Sequence, residues 1–301
     1  MRILVTDGMD AAALAQLRQN GHEVIEQFYE PDALGAALRD VDAVVVRSAT
    51  KLRQPVLDAA AGGRLKLIIR AGVGVDNIDV ACAEAHGMTV RNTPRASSNA
   101  VAELAMAHLF SCARYISIAG HSMREGKWEK KTYNKGVELS GKTLGVIGYG
   151  RIGQTLGRMA QAMGMTVLAY DIYHAEGLEC ATMRYVELDE LLASSDFISL
   201  HTPAIDGKPL IDAEAIAKMK DGVIFVNTSR GNNVDEAALL AGLESGRIRA
   251  AGLDVYAQEP TKNEALLNHP RVSCTPHIGA STVEAQRRIG MEIVDIIRQF
   301  S

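Results

Sequence analysis

The sequence predicts an α/β protein built from two doubly wound parallel-sheet domains. Three observations carry this. Short apolar runs alternate with helix-period stretches over most of the chain, as in parallel sheets covered by helices on both faces. The 301 residues suffice for two domains, each with a sizeable core. The alternation is broken at Pro94, and Ser97-Ser98 can cap a long helix that leads the chain out of the first domain.

Composition narrows the class. Hydrophobic content of 47% and charged content of 23% are ordinary for a globular protein. A net charge of −4 gives no reason to expect nucleic acid or an anionic membrane as partner. Cys82, Cys112, Cys180 and Cys274 are scattered without a C-x-x-C pair, so neither a disulfide framework nor a metal site is expected. The N-terminus reads as a strand rather than a signal peptide. No apolar run reaches the roughly 18 residues of a membrane span, and a cytoplasmic setting is expected.

In chain order, the first half predicts strands at 2–6, 22–26, 43–46, 67–70 and 88–91, with helices near 11–18, 32–38, 55–60 and 79–85. The Ala-, Leu- and Met-rich segment after Ser97-Ser98 predicts one helix to about Ala119. A polar stretch from His121 to Lys135 holds the only tryptophan, Trp128. One aromatic among lysines suits a surface extension or subunit contact better than a nucleic-acid groove. The second half predicts strands at 144–148, 165–170, 197–200, 223–227, 249–253 and 272–275. A last helix opens with the capping box Ser281-x-x-Glu284 and runs to Phe300.

Between the first strand and helix of this second half lies Gly148-x-Gly150-x-x-Gly153. Its glycines serve a tight turn, backbone approach to a pyrophosphate, and close helix–strand packing. The helix N–H groups, including those of Arg151 and Ile152, would meet phosphate. The next strand ends at Asp171, 18 residues past Gly153, where a carboxylate would accept hydrogen bonds from a ribose. Together these predict a bound dinucleotide.

In a doubly wound sheet, ligands sit beyond the carboxyl ends of the strands. Those ends carry Asp171, His201-Thr202, Asn227-Thr228-Ser229-Arg230, Asp254 and His277. His277 precedes Ile278-Gly279-Ala280 and is the candidate acid/base, because imidazole titrates near neutrality. Glu259, ahead of Pro260, can supply the carboxylate that orients it and favours the imidazolium. Arg230 can bind a substrate carboxylate in bidentate fashion. In the first half, the Arg70-Ala71-Gly72-Val73-Gly74 turn can form an anion-binding nest. Arg47 and Arg70, at strand ends, are candidates for a second anion.

With these residues in place, the chain resembles the D-2-hydroxyacid dehydrogenase family over its whole length. The motifs are Ala71-Gly72-Val73-Gly74-Val75-Asp76-Asn77, the Gly148–Gly153 loop with Asp171, Asn227-Thr228-Ser229-Arg230-Gly231, Asp254 with Glu259-Pro260, and Pro276-His277-Ile278-Gly279-Ala280. Val46-Arg47-Ser48-Ala49-Thr50-Lys51 and Gly126-Lys127-Trp128-Glu129 are similar to the branch that oxidises D-3-phosphoglycerate. The resemblance implies a flavodoxin-like substrate domain from 1–96 and 281–301 and a Rossmann NAD-binding domain over 97–280. It implies Arg230, Glu259 and His277 as catalytic residues. For NAD it implies Val73, Gly148, Gly150, Arg151, Ile152, Gly153, Asp171, His201, Thr202, Thr228, Ser229, Asp254, Gly279 and Ala280. Arg47, Arg70, Val73, Gly74, Arg230 and His277 would hold a phosphorylated 2-hydroxy acid, with no metal, in a homodimer or dimer-based oligomer. Other 2-hydroxy acids (glycerate, hydroxypyruvate, lactate) are the alternative substrates, and a non-catalytic NAD-sensing corepressor is the alternative class. Departures from the family are Asn232-Asn233, where relatives carry glycine and a small apolar residue, Gly207-Lys208-Pro209 after His201-Thr202-Pro203, and an end at Ser301, from which no C-terminal regulatory domain is expected.

Overall fold

The structure, a computed structural model, describes residues 1–205 and 207–300. The chain divides into two compact units, Met1–Ser97 with Ala280–Ser301, and Ser98–Gly279.

In the first unit, strands β1 (Arg2–Val5), β2 (Glu23–Glu26), β3 (Ala43–Val46), β4 (Leu67–Arg70) and β5 (Thr89–Asn92) alternate with helices α1 (Ala11–Gln19), α2 (Pro31–Leu38), α3 (Gln54–Ala60) and α4 (Val80–Ala85). All pairings are parallel, in the order β2-β1-β3-β4-β5. This is the flavodoxin-like winding. The central strand β3 reads Ala-Val-Val-Val and is buried throughout, as a strand covered on both faces must be. Pro31 and Pro55 sit in the first turns of α2 and α3, where a missing N–H leaves no bond unmade.

The second unit begins with α5 (Ser98–Arg114) and α6 (Ile116–Arg124). One helix to about Ala119 is therefore not what forms: Tyr115, at φ 59°, breaks it. The left-handed turn costs a non-glycine residue roughly 1–3 kcal/mol and carries no glycine or proline signal. Strands β6 (Thr143–Ile147), β7 (Thr166–Tyr170), β8 (Met183–Tyr185), β9 (Phe197–Leu200), β10 (Val223–Asn227), β11 (Ile248–Leu253) and β12 (Val272–Cys274) form a seven-stranded sheet, β12-β11-β10-β9-β6-β7-β8. Every pairing is again parallel. Between the strands lie α7 (Arg151–Ala162), α8 (Leu188–Ser194), α9 (Ala213–Lys218), α10 (Glu236–Ser245) and α11 (Glu264–Leu267). The short edge strand β8 escapes the sequence pattern because three residues show no periodicity. The order reverses between β6 and β9, and a doubly wound sheet opens its ligand crevice at such a reversal.

The chain returns to the first unit with α12 (Val283–Phe300). It buries Ile289, Ile293 and Ile297 in the core shared with α1 and β1, each worth about 1.5–3 kcal/mol of transfer free energy. Its cap differs from the expected box. Thr282 Oγ1, not the Ser281 side chain, accepts the Ala285 N–H at 3.1 Å. No helix among the described residues is long and apolar enough to cross a membrane.

Candidate active site

The turn after β6 is shaped by glycine. Gly148 has φ 89°, and a Cβ there would lie 2.7 Å from the His201 carbonyl carbon. A Cβ on Gly153 would lie 2.3 Å from the Gly148 oxygen, so α7 could not seat closely on its strand. Gly150 is different: it heads α7 with no side chain capping the helix, and a Cβ on it would meet nothing within 4 Å. The first N–H groups of a helix have no intrahelical partner, and here those of Arg151, Ile152 and Gly153 are left for an anion. At the end of β7, Asp171 accepts from Tyr149 N at 2.6 Å and Tyr173 N at 3.1 Å. Each carboxylate oxygen keeps a further acceptor site for a ribose hydroxyl.

Two adjacent strand ends add orphaned groups. His201 Nδ1 and Thr228 Oγ1 are buried with no hydrogen-bond partner among the described residues. Buried polar atoms are rarely left so, and both suit a polar ligand lying along this edge. His201 Nε2 pairs with Ser199 Oγ at 2.9 Å, and burial drives the ring's pKa down to about 4, so it is neutral at pH 7. The residues at β6, β7, β9 and β10 thus fit a dinucleotide.

The residues expected to carry the chemistry lie beyond β10, β11 and β12. Asn227 ends β10, and its side chain builds the next turn: Oδ1 accepts from Ser229 N (3.0 Å) and Ser229 Oγ (2.8 Å), and Nδ2 donates to Arg230 O (2.9 Å). Arg230 Nη1 donates to Ser229 O at 2.6 Å. Gly231 then passes against the Tyr256 backbone, where a Cβ would lie 1.9 Å from the carbonyl carbon. That approach brings the Arg230 turn beside the loop carrying Glu259. Glu259 Oε1 accepts from Tyr256 N at 3.2 Å and Oε2 meets His277 Nδ1 at 2.7 Å. Burial raises the Glu259 carboxyl, but the hydrogen bond and charge of His277, the Tyr256 N–H and the Arg230 charge outweigh it and hold its pKa below the ordinary value. It is ionised, and its contact with Nδ1 leaves His277 Nε2 without a partner among the described residues. The peptide Glu259–Pro260 is cis.

His277 is held in a backbone conformation of φ 55°, uncommon for a non-glycine residue and characteristic of functional positions. Its N–H donates to Asp254 O at 2.8 Å. The Asp254 carboxylate, 1% exposed, accepts from Ile278 N (2.9 Å), Gly279 N (2.9 Å) and Thr275 Oγ1 (2.6 Å). Expected at the cofactor, Asp254 directs its carboxylate into the loop that presents His277. Behind Thr275 stands His108 on α5, with Nε2 at 3.0 Å from Thr275 Oγ1 and Nδ1 at 3.1 Å from Ser273 Oγ. A carboxylate can only accept, so Thr275 donates to Asp254 and takes its own hydrogen bond from His108 Nε2–H. Burial lowers the His108 pKa against the raising effect of Asp254, and the ring is neutral. Sequence reasoning missed His108 and Thr275, since neither lies in a motif. It also treated Asn233 only as a departure. Asn233 is fully buried and clamps the loop after β9, donating to Thr202 Oγ1 (2.9 Å) and Pro203 O (2.7 Å) and accepting from Ile205 N (3.0 Å).

In the first unit, the loop after β3 is pinned at both ends. Asp7 accepts from Arg47 N (2.6 Å), Thr50 N (3.1 Å) and Thr50 Oγ1 (2.7 Å), and Asn77 Nδ2 donates to the Arg47 and Thr50 carbonyls, both at 2.7 Å. The Arg47 guanidinium makes no hydrogen bond or ion pair among the described residues. Arg70 turns back on its own loop, with Nη1 donating to Ala71 O at 3.0 Å and filling the space over Gly72. The N–H groups of Val73 and Gly74 donate to nothing among the described residues, as an anion nest requires.

Comparison with known proteins identifies the family. Residues 106–279 match the family described as D-isomer specific 2-hydroxyacid dehydrogenase, NAD binding domain. The chain is 50% identical to a hydroxypyruvate reductase of Thermotoga maritima, over 98% of this chain and 97% of that protein. It is 44% identical to a D-3-phosphoglycerate dehydrogenase of Methanocaldococcus jannaschii, over 99% of this chain but 57% of that protein. It thus spans about half the length of the phosphoglycerate dehydrogenases it matches. A glyoxylate reductase structure from Paecilomyes thermophila superimposes with a TM-score of 0.90 at 32% identity, over 99% of this chain and 94% of that one. By these similarities the chain belongs to the D-isomer specific 2-hydroxyacid dehydrogenase family, as an NAD-dependent enzyme.

Proposed function

We propose that the protein interconverts hydroxypyruvate and D-glycerate, with His277 as acid/base, Glu259 as its partner and Arg230 as the substrate-carboxylate ligand. The observation that carries the reaction is the 2.7 Å Glu259–His277 pair on the sheet edge that also bears Arg230. NAD, when bound, takes up or supplies hydride at substrate C2. In reduction, His277 Nε2 hands its proton to the C2 oxygen, and in oxidation it takes that proton back. Glu259 stabilises the imidazolium and fixes the ring so that Nε2 does the work. Arg230 would hold the carboxylate and fix the carbonyl's orientation, and such positioning contributes several kcal/mol to rate.

The substrate choice is supported by similarity along the full length of both proteins to the hydroxypyruvate reductase, and by the engagement of Arg70 with the Ala71 carbonyl. The sequence-based expectation of D-3-phosphoglycerate stays as the second reading, favoured by the unengaged Arg47 guanidinium. Initial rates with hydroxypyruvate, glyoxylate and pyruvate plus NADH, and with D-glycerate and D-3-phosphoglycerate plus NAD, separate the two. Hydroxypyruvate should show the highest kcat/KM. A higher value for 3-phosphoglycerate, falling roughly 10–150-fold in Arg47→Ala as the loss of a charge-assisted contact of about 1.5–3 kcal/mol predicts, would establish the second reading instead.

A further inference from the structure

On the first unit, apart from the loops discussed above, α3 and α4 bring together three side chains of metal-ligating type. Cys82 and His86 are four residues apart on α4 and its C-terminal cap, a spacing that sets two side chains on one helix face. Asp58 on α3 completes the group. Its Oδ1 lies 2.7 Å from His86 Nε2 and 3.7 Å from Cys82 Sγ, and one ligand atom from each residue falls within 4.8 Å of the others. We propose that Asp58, Cys82 and His86 form a surface binding site for a borderline-soft divalent transition-metal ion, Zn²⁺ in the first instance.

The donor set argues for that class. Thiolate, imidazole and carboxylate are the three zinc ligand types, whereas Mg²⁺ and Ca²⁺ take oxygen. Tetrahedral Zn²⁺, with bonds of about 2.0–2.3 Å, separates its ligand atoms by roughly 3.3–3.6 Å. The S···O distance of 3.7 Å lies just beyond this range, and the N···O distance of 2.7 Å needs to open by about 0.6 Å, a small rotamer change for two partly exposed side chains. Water would complete the tetrahedron. The backbone around the site is fixed: Asp79 Oδ1 caps α4 by accepting the Cys82 N–H at 3.0 Å. Burial and the Asp58 and Asp79 charges push the Cys82 thiol's pKa up, so the thiol gives up its proton only to a bound cation, which the negative local field favours. On binding, the Cys82 thiol loses its proton to solvent and the His86 proton moves to Nδ1. Two anionic ligands then balance the dication. The ion would tie α3 to α4 and add metal-dependent stability to this unit.

Sequence spacing could not suggest the site, because Asp58 precedes Cys82 by 24 residues and no second Cys or His pair flags it. The proposal does not rest on the reaction assigned above. The test is titration of the full-length metal-free protein with Co²⁺, read by absorption, followed by displacement with Zn²⁺. The wild-type chain should show tetrahedral cobalt bands and a sulfur-to-cobalt charge-transfer band in the micromolar range. Cys82→Ser should lose the charge-transfer band, and Asp58→Asn and His86→Gln should each weaken binding at least tenfold. Cys180→Ser, which removes the exposed thiol, should keep the band. Far-ultraviolet circular dichroism and urea unfolding of the metal-free chain, unchanged in all four variants, report that the first unit remains folded. A band that disappears in Cys180→Ser but persists in Cys82→Ser, or cobalt spectra of six-coordinate type with no sulfur band, overturns the proposal.

Discussion

Asp254→Asn tests whether the buried carboxylate acts by positioning His277 or by touching the cofactor. The carboxylate accepts three hydrogen bonds, from Thr275 Oγ1, Ile278 N and Gly279 N. An asparagine can keep its oxygen toward Thr275 and Ile278, but its NH₂ group then confronts the buried Gly279 N–H, donor against donor. One charge-assisted bond is lost with its donor left unsatisfied, and two others fall to neutral strength. At about 1.5–3 kcal/mol for charged and 0.5–1.5 for neutral bonds, and with relief from desolvating a buried charge, the net loss is about 2–4 kcal/mol by urea unfolding. The His277 loop would also relax, and a displacement of about an ångström costs on the order of 10²-fold in rate. Steady-state kinetics should therefore show kcat falling roughly 10–100-fold, while NADH affinity, read from its fluorescence on binding, stays within a few-fold. Lost NADH affinity with kcat preserved would make Asp254 a cofactor ligand, and unchanged stability would refute the hydrogen-bond accounting.

Further outcomes follow from the same geometry. His277→Ala should lower kcat by roughly 10²–10⁴ with NADH binding retained, and near-native turnover would remove it from the reaction. Asp171, beside the exposed Ile172-Tyr173 with no adjacent arginine, should repel a 2′-phosphate, so kcat/KM with NAD should exceed that with NADP at least tenfold. Folded His201 titrates near 4 against an ordinary value of 6.5 because burial disfavours its charge. Below pH 6.5 the unfolded chain therefore takes up a proton that the native ring refuses. The stability this represents, roughly 3 kcal/mol, is complete above pH 6.5 and lost as pH falls toward 4. In His201→Asn, urea midpoints between pH 7 and 4 should lose that part of their slope, and a slope equal to wild type would count against the assignment. The exposed Ile116, Met123 and Trp128 on and after α6 lead us to expect at least a dimer in sedimentation, and a monomer at micromolar concentration would contradict it.

What the sequence determined by itself was local. Runs such as Ala43–Val46 and Val223–Asn227 can only be strands buried on both faces, and a strand that ends in a glycine turn before a helix makes an anion site from backbone alone. Residues that follow such strands, His277 and Arg230 among them, must lie on one edge of a parallel sheet, which is why their shared placement was legible from the sequence. Tertiary structure decided what depends on residues distant in sequence. The strand order came from helix and sheet packing, and the Tyr115 break came from the path of α5 and α6, with no turn residue to announce it. Asp254 became a brace for the His277 loop because β11 and β12 run side by side and place Thr275 against it. His108 joins that brace from α5, 167 residues away from Thr275. Asn233, an anomaly in one dimension, ties two loops together in three. Periodicity and motif spacing report a residue's near neighbours, whereas a buried hydrogen bond is made with whatever the packed elements bring within about 3 Å.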